Sequence, residues 1–188
     1  WVEKGGRTRR IRSRTLVLNF GGHQNPEYLR EGLAADGLLL PASAAIMSSD
    51  HLLRLNAVQL RDAFAPALAG SGRITVVGGS HSAFSMLENL ADALEFAGLE
   101  EVTLVHRSAI RLFYESPELA VAAGYVFHPV RDVCPVSGRV NRSSGLRYRA
   151  LDVGREVLAR SRVGKTGVRA HTFQIRGGAE GEREQAAQ

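Results

Sequence analysis

Gly78-Gly79-Ser80-His81-Ser82-Ala83 is the stretch whose residue types best suit chemistry. Small residues there allow a sharp turn and a close approach of backbone to a ligand. Ahead of it, Ile74, Val76 and Val77 form a short β-branched run suited to a strand buried on both faces. Behind it, Phe84, Leu87, Leu90, Ala91 and Leu94 recur at helical spacing. Gly98 is a good stop for that helix, and Val102, Leu104 and Val105 build a second strand. A crossover of this length joins parallel neighbours. In such a strand–turn–helix unit, free N–H groups and the positive end of the helix dipole face whatever sits above the turn, and a pyrophosphate suits that place.

The dinucleotide fingerprint is G-x-G-x-x-G/A, and Ser80 stands at its second glycine. Serine is small, and its hydroxyl can donate to a phosphate oxygen. Two readings of the turn stand at this point: a phosphate cradle, or a plain βα turn. The end of the second strand bears on the ligand. An NAD site usually places Asp or Glu there, whereas this chain has His106-Arg107-Ser108, with Arg111 one turn later. Arginine matches a ribose 2′-phosphate bidentately, which favours NADP over NAD; the alternative is a solvated arginine at a strand end. The expected cofactor-binding residues are therefore Gly78, Gly79, Ser80, His81, Ser82, Ala83 and Arg107.

Other chemistries fit less well. The histidines His23, His51, His81, His106, His128 and His171 show no metal-ligand spacing, and with one cysteine no zinc site is expected. A nucleophile elbow needs glycine two residues after Ser80, and Ser82 is there instead. Cys134 is expected as a buried or loop thiol, with Arg131 and Arg139 as its only nearby hints of activation. No catalytic residue is assigned.

The chain's 188 residues suffice for one substantial core. It has no apolar run long enough to span a bilayer, and its start, WVEKGGRTRR, has no secretory character. The start also lacks Met, as a fragment or processed chain would. A lone cysteine suits a reducing, cytoplasmic setting. The net charge of +5 raises nucleic acid as a partner, but the basic clusters (Lys4 to Arg14, Arg139 to Arg169) are not interleaved with aromatics. The partners expected are a dinucleotide and an unidentified small substrate, with neither nucleic acid nor membrane. Oligomeric state is left open.

In chain order, Gly5-Gly6 is a hairpin turn whose second arm runs through Leu16, Val17 and Leu18 to Gly21-Gly22. A short helix is expected at Glu27 to Ala35. A further helix follows from His51 to Phe64, capped by Ser49 or Asp50. Ser116-Pro117-Glu118 starts another. Pro135, Gly138 and Ser143-Ser144-Gly145 mark a loop able to reach over a ligand, before helical spacing at Ala150 to Leu158 and a strand at Val168 to Ile175. The fold expected is α/β: a Rossmann-like parallel sheet with flanking helices, plus a short β-hairpin segment. Its parts are residues 1–55 (hairpin and connector), 56–175 (the NAD(P)-binding domain) and 176–188 (a disordered tail).

Three of these pieces together resemble the flavin-dependent monooxygenase superfamily, in particular its N-hydroxylating members. VVGGSHSAFS is similar to the G-G-G-Q-S-A turn that holds NADPH there, with Ser80 and His81 in place of Gly and Gln. LVLNFGGHQNP is similar to the strand-to-glycine segment that returns beside FAD, and Met47-Ser48-Ser49-Asp50 to an H-S-S segment, with Met47 in place of His. Their order and spacing agree with the family over roughly Arg12 to Arg107.

The resemblance implies NADP(H) at the glycine turn, FAD near Gly21 and Gly22, and hydride transfer from NADPH to FAD followed by oxygen activation on the reduced flavin. The family's own FAD-binding G-x-G-x-x-G turn and late A-T-G-Y-like turn are not in this sequence, so the resemblance implies the middle of such an enzyme. On that resemblance, the β-hairpin segment in residues 1–55 is the edge of an incomplete FAD domain and connector. The competing expectation is a non-catalytic dinucleotide-binding module, or a truncated remnant completed by a partner chain.

Overall fold

Short β-branched runs separated by an amphipathic helix bury most apolar surface when the strands pair in parallel beneath that helix. The computed structural model has this arrangement. It describes residues 2–4, 7–9, 25–35, 45–70 and 74–174. The chain divides into two compact units, Trp1–Ala42 and Ser43–Gln188.

In the first unit β1 (Val2–Lys4) pairs antiparallel with β2 (Arg7–Arg9), Lys4 opposite Arg7. That register leaves two residues for the connection, the length of a tight hairpin loop. Helix α1 (Pro26–Ala35) has proline at its first position, and Asn25 Oδ1 accepts the Glu27 N–H at 3.0 Å. The run Leu16–Leu18, Gly21 and Gly22, and the tail at 176–188 lie outside the described residues.

The second unit opens with a correction. The single helix expected from His51 to Phe64 is two helices, α2 (Ser49–Leu52) and α3 (Ala57–Ala69). Asn56 breaks them apart: its side chain accepts the Gln59 N–H, and the Gln59 side chain accepts the Asn56 N–H, both at 3.0 Å. This reciprocal cap outcompetes helix continuation. The cap of α2 is Ser48, whose Oγ accepts the His51 N–H, rather than Ser49 or Asp50.

Then come β3 (Ile74–Val77), α4 (His81–Leu94), a single 3₁₀ turn, and β4 (Glu101–His106). After α5 (Pro117–Ala122) and α6 (Tyr148–Arg160), β5 (Arg169–Gln174) completes a three-stranded parallel sheet in the order β3-β4-β5. This is the βαβαβ order of a Rossmann-like half. Gly98 ends the 3₁₀ turn in the left-handed conformation, as its sequence position suggests.

Helix α4 is the centre of the core. The helical stripe Phe84, Leu87, Leu90, Ala91 and Leu94 is fully or almost fully buried. It contacts β3, α2, α3 and α6. Each such leucine or phenylalanine contributes roughly 1.5–3 kcal/mol of burial. The sheet face beneath it carries buried Val102, Leu104 and Ala170. On the alternate face the register aligns Val77, Val105 and Phe173 in one cross-strand row, and Val77 and Phe173 are 68% and 62% exposed. Among the described residues, no helix is long and apolar enough to cross a membrane.

Between β4 and α6 the chain builds a folded insertion rather than a loose loop. Leu112 bridges Leu146, and Tyr114 bridges Val140, so two distant segments run side by side. Asn141, 4% exposed, donates its amide to the Leu112 carbonyl at 2.9 Å and to the Tyr125 hydroxyl at 3.0 Å. Gly145 is required by space: a Cβ there would stand 2.6 Å from the Phe113 backbone nitrogen. Backbone cannot yield as a side-chain tip does. Gly145→Ala should therefore destabilise the protein by about 1–3 kcal/mol, the usual range for overpacking. Urea unfolding of the two proteins checks this; an unchanged midpoint would contradict the packing described.

Candidate functional site

Parallel pairing in register, Val77 opposite Val105, brings the carboxyl ends of β3 and β4 side by side. Just beyond, Gly78 donates its N–H to the Val105 carbonyl at 2.8 Å, at φ +134°. Side chains rarely adopt that conformation, so glycine is needed to turn the chain there. Gly79 follows against the end of β4, where a methyl group would lie 3.3 Å from the His106 Cβ. Ser80 is the N-cap of α4, and its exposed side chain makes no capping bond. Ser82 is exposed, whereas Ala83 is buried and faces the core. Helix geometry leaves the N–H groups of His81, Ser82 and Ala83 without intrahelical acceptors, at the positive end of the dipole.

Arg107 leaves the adjacent strand end exposed. Its carbonyl accepts the Gln174 side-chain N–H at 3.3 Å, which ties the end of β5 to the same edge. Among the described residues no acceptor holds its guanidinium. His106 is buried, its Nδ1 2.9 Å from the Ser108 carbonyl, which makes that nitrogen the donor. The sheet thus presents a glycine turn, a helix N-terminus and an arginine along one carboxyl edge, the usual ligand position in open α/β sheets.

His81 is exposed, yet its Nε2 accepts the backbone N–H of Arg147 at 3.0 Å across 66 residues of sequence. Arg147 caps α6, lies with its guanidinium 4.3 Å from the Phe113 ring centroid, and donates through Nη2 to the Arg142 carbonyl. Its Nε is buried without a partner among the described residues. Arg111 reaches the Ser144 hydroxyl at 3.5 Å, and its carbonyl accepts the Leu146 N–H at 2.7 Å. The insertion is therefore pinned on one side to the chain leaving β4 and on the other to the first residue of α4. Ser143-Ser144-Gly145 marked this loop in the sequence, but Arg142 and Arg147 were not singled out, because only the folded insertion brings Arg142 to Cys134 and Arg147 to the turn.

Cys134 sits half-buried in the insertion. The flanking arginines that were its only hints of activation in the sequence form ion pairs, Arg131 with Asp132 at 3.1 Å and Arg139 with Glu115 at 2.7 Å. Arg142 instead approaches the thiol, Nη1 to Sγ 3.6 Å. Hydrogen bonds from Ser137 first, and from Arg142, pull the thiol down to about 6. Among the described residues, no three His, Cys, Asp or Glu side chains converge to hold a metal. The arrangement suits anion binding, and the two glycines expected beside a flavin, Gly21 and Gly22, fall outside the described residues.

Over 146 residues the chain is 37% identical to the CMP-5'-(3-aminopropyl)phosphonate hydroxylase of Streptomyces rubellomurinus, a stretch covering 76% of this chain and 32% of that protein. The chain thus spans about a third of the length of the curated relative it matches. No known protein-family model matches the chain. No solved structure matches it either.

The thiol contact generates a direct test. Alkylation of Cys134 by iodoacetamide should rise with pH through an inflection at about 6, and Arg142→Ala should move that inflection upward. An inflection in the ordinary thiol range in both proteins would contradict the contact.

Proposed function

We propose that this chain is the NADP(H)-binding part of a flavin-dependent oxidoreductase, a hydroxylase of the N-hydroxylating type, in which NADPH reduces FAD. The observation that carries the proposal is the carboxyl edge of the sheet. There Gly78 turns the chain at φ +134°, α4 begins, and Arg107 stands exposed at the neighbouring strand end. The residues fit the group: Gly79 seats the turn against the end of β4, and the exposed Ser80 hydroxyl makes no capping bond. The first N–H groups of α4 can accept the charge of a pyrophosphate. Arg107 is placed for a ribose 2′-phosphate, where its planar fork binds two oxygens at once.

The relative adds the reaction class. It is named a hydroxylase, and the compound in its name carries an aminopropyl group. This accords with oxygen insertion at an amine, the chemistry that the sequence resemblance implies. Bound NADPH supplies the hydride for such a reaction; the residues described here bind it and orient it. The flavin part of the proposal rests on the sequence resemblance.

Calorimetry with NADPH and NADH tests the reading. Wild type should bind NADPH in preference to NADH. Arg107→Ala should weaken NADPH about 10- to 100-fold, as loss of a charged hydrogen-bond pair implies, with little change for NADH. Equal affinities for both nucleotides in wild type and variant would refute the assignment of Arg107. No binding of either to folded protein would refute the site.

A further inference from the structure

We infer that His81 is a positioning residue for this site: its Nε2 fastens Arg147 to the glycine turn and so sets the arginine-bearing insertion beside the bound dinucleotide. The inference rests on the dinucleotide reading of the turn and adds a residue-level device to it.

The contact is unusual in kind. A side chain in the first turn of one helix accepts the backbone N–H of the residue that caps another, at 3.0 Å and 66 residues away. Few other bonds join the turn to the insertion. The insertion's remaining ties run to the chain leaving β4: Leu146 N–H to the Arg111 carbonyl at 2.7 Å, and Phe113 N–H to the Leu146 carbonyl at 3.0 Å. His81 therefore completes a closed circuit, from β3 through the glycine turn to Arg147, through the insertion to Arg111, and back along the chain to Arg107 and β4.

Two cationic side chains depend on that circuit for their places. Arg147 stacks on Phe113 and donates to the Arg142 carbonyl, so its guanidinium goes where its backbone goes. Arg111 holds Ser144 of the same segment. Arg147 joins the turn through its backbone N–H, and Arg111 follows Ile110, whose side chain lies beside Gly79 at the same strand edge as Arg107. Arg149 of α6 still pairs with Glu88 of α4 at 2.8 Å. Loss of the His81 bond therefore frees the segment locally at Arg147, and the cations beside the turn lose part of their fixed position. Binding of a dinucleotide that lacks the 2′-phosphate should be much less sensitive.

The role requires an acceptor at Nε2, not an imidazole as such. Glutamine can supply a carbonyl oxygen at similar reach, whereas leucine fills the same space and accepts nothing. Two variants, His81→Gln and His81→Leu, therefore separate the bond from the bulk. Hydrogen exchange at the Arg147 amide reports the bond itself. Calorimetry with NADPH and NADH reports its consequence.

In His81→Leu the Arg147 amide should exchange at least 10-fold faster, and the preference for NADPH over NADH should fall several-fold. In His81→Gln both should return towards wild type. Unchanged Arg147 exchange in His81→Leu overturns the inference whether or not nucleotide binds. Faster exchange with an unaltered NADPH-to-NADH ratio overturns it as well, leaving the bond merely structural, as does His81→Gln behaving like His81→Leu. Failure of wild type to bind either nucleotide strikes the dinucleotide reading itself, and the positioning role with it.

Discussion

The hydrogen bond from the Gly78 N–H to the Val105 carbonyl is the hinge of this architecture. It extends the β3–β4 ladder one step past the last paired strand residues, at the point where the chain must leave the sheet. Only a residue free to take φ +134° can make that bond and still direct the chain upward into α4. The helix axis, the direction of its free N–H groups and the depth of its buried stripe all follow from this exit. A side chain at position 78 would have to give up either the bond or the turn.

From this exit the packing propagates in two directions. Inward, α4 lays Phe84, Leu87, Leu90, Ala91 and Leu94 between the sheet and helices α2, α3 and α6, so that the core is built around one helix. Outward, the first residue of α4 reaches the cap of α6 through His81 and Arg147. The same helix is therefore both the hydrophobic centre and one wall of the proposed anion site. This coupling gives a rigid support to the groups proposed to hold a charged ligand. On the opposite sheet face Val77 and Phe173 stand exposed in one row with Val105, followed by the polar row of Thr75, Thr103 and His171.

Much of this was readable from residue types. The β-branched runs, the small-residue turn and the spacing of Phe84 to Leu94 specify a βαβ unit with little ambiguity, and Gly98 marks its helix stop. What was not readable came from long-range or reciprocal contacts. Asn56 and Gln59 divide a continuous apolar pattern into two helices because each caps the other; the pattern alone shows no break. Arg142 approaches Cys134, whereas the nearer arginines in sequence, Arg131 and Arg139, are paired with Asp132 and Glu115, which linear proximity cannot reveal. Gly145 looked like loop punctuation, yet its place is set by the Phe113 backbone 2.6 Å from where a Cβ would sit. The candidate phosphate cradle was thus visible in sequence, and the wall that closes beside it was not.

The central claim is that the glycine turn and the two elements tied to it form one phosphate-binding surface. The most direct measurement is a backbone-amide NMR titration of this chain with NADP⁺. The account predicts the largest shifts at Gly79 to Ala83, with a second group at Arg107 to Arg111 and at Arg147, all following one binding curve. Shifts centred instead on the row of Val77, Val105 and Phe173, or none at saturating nucleotide, would contradict it.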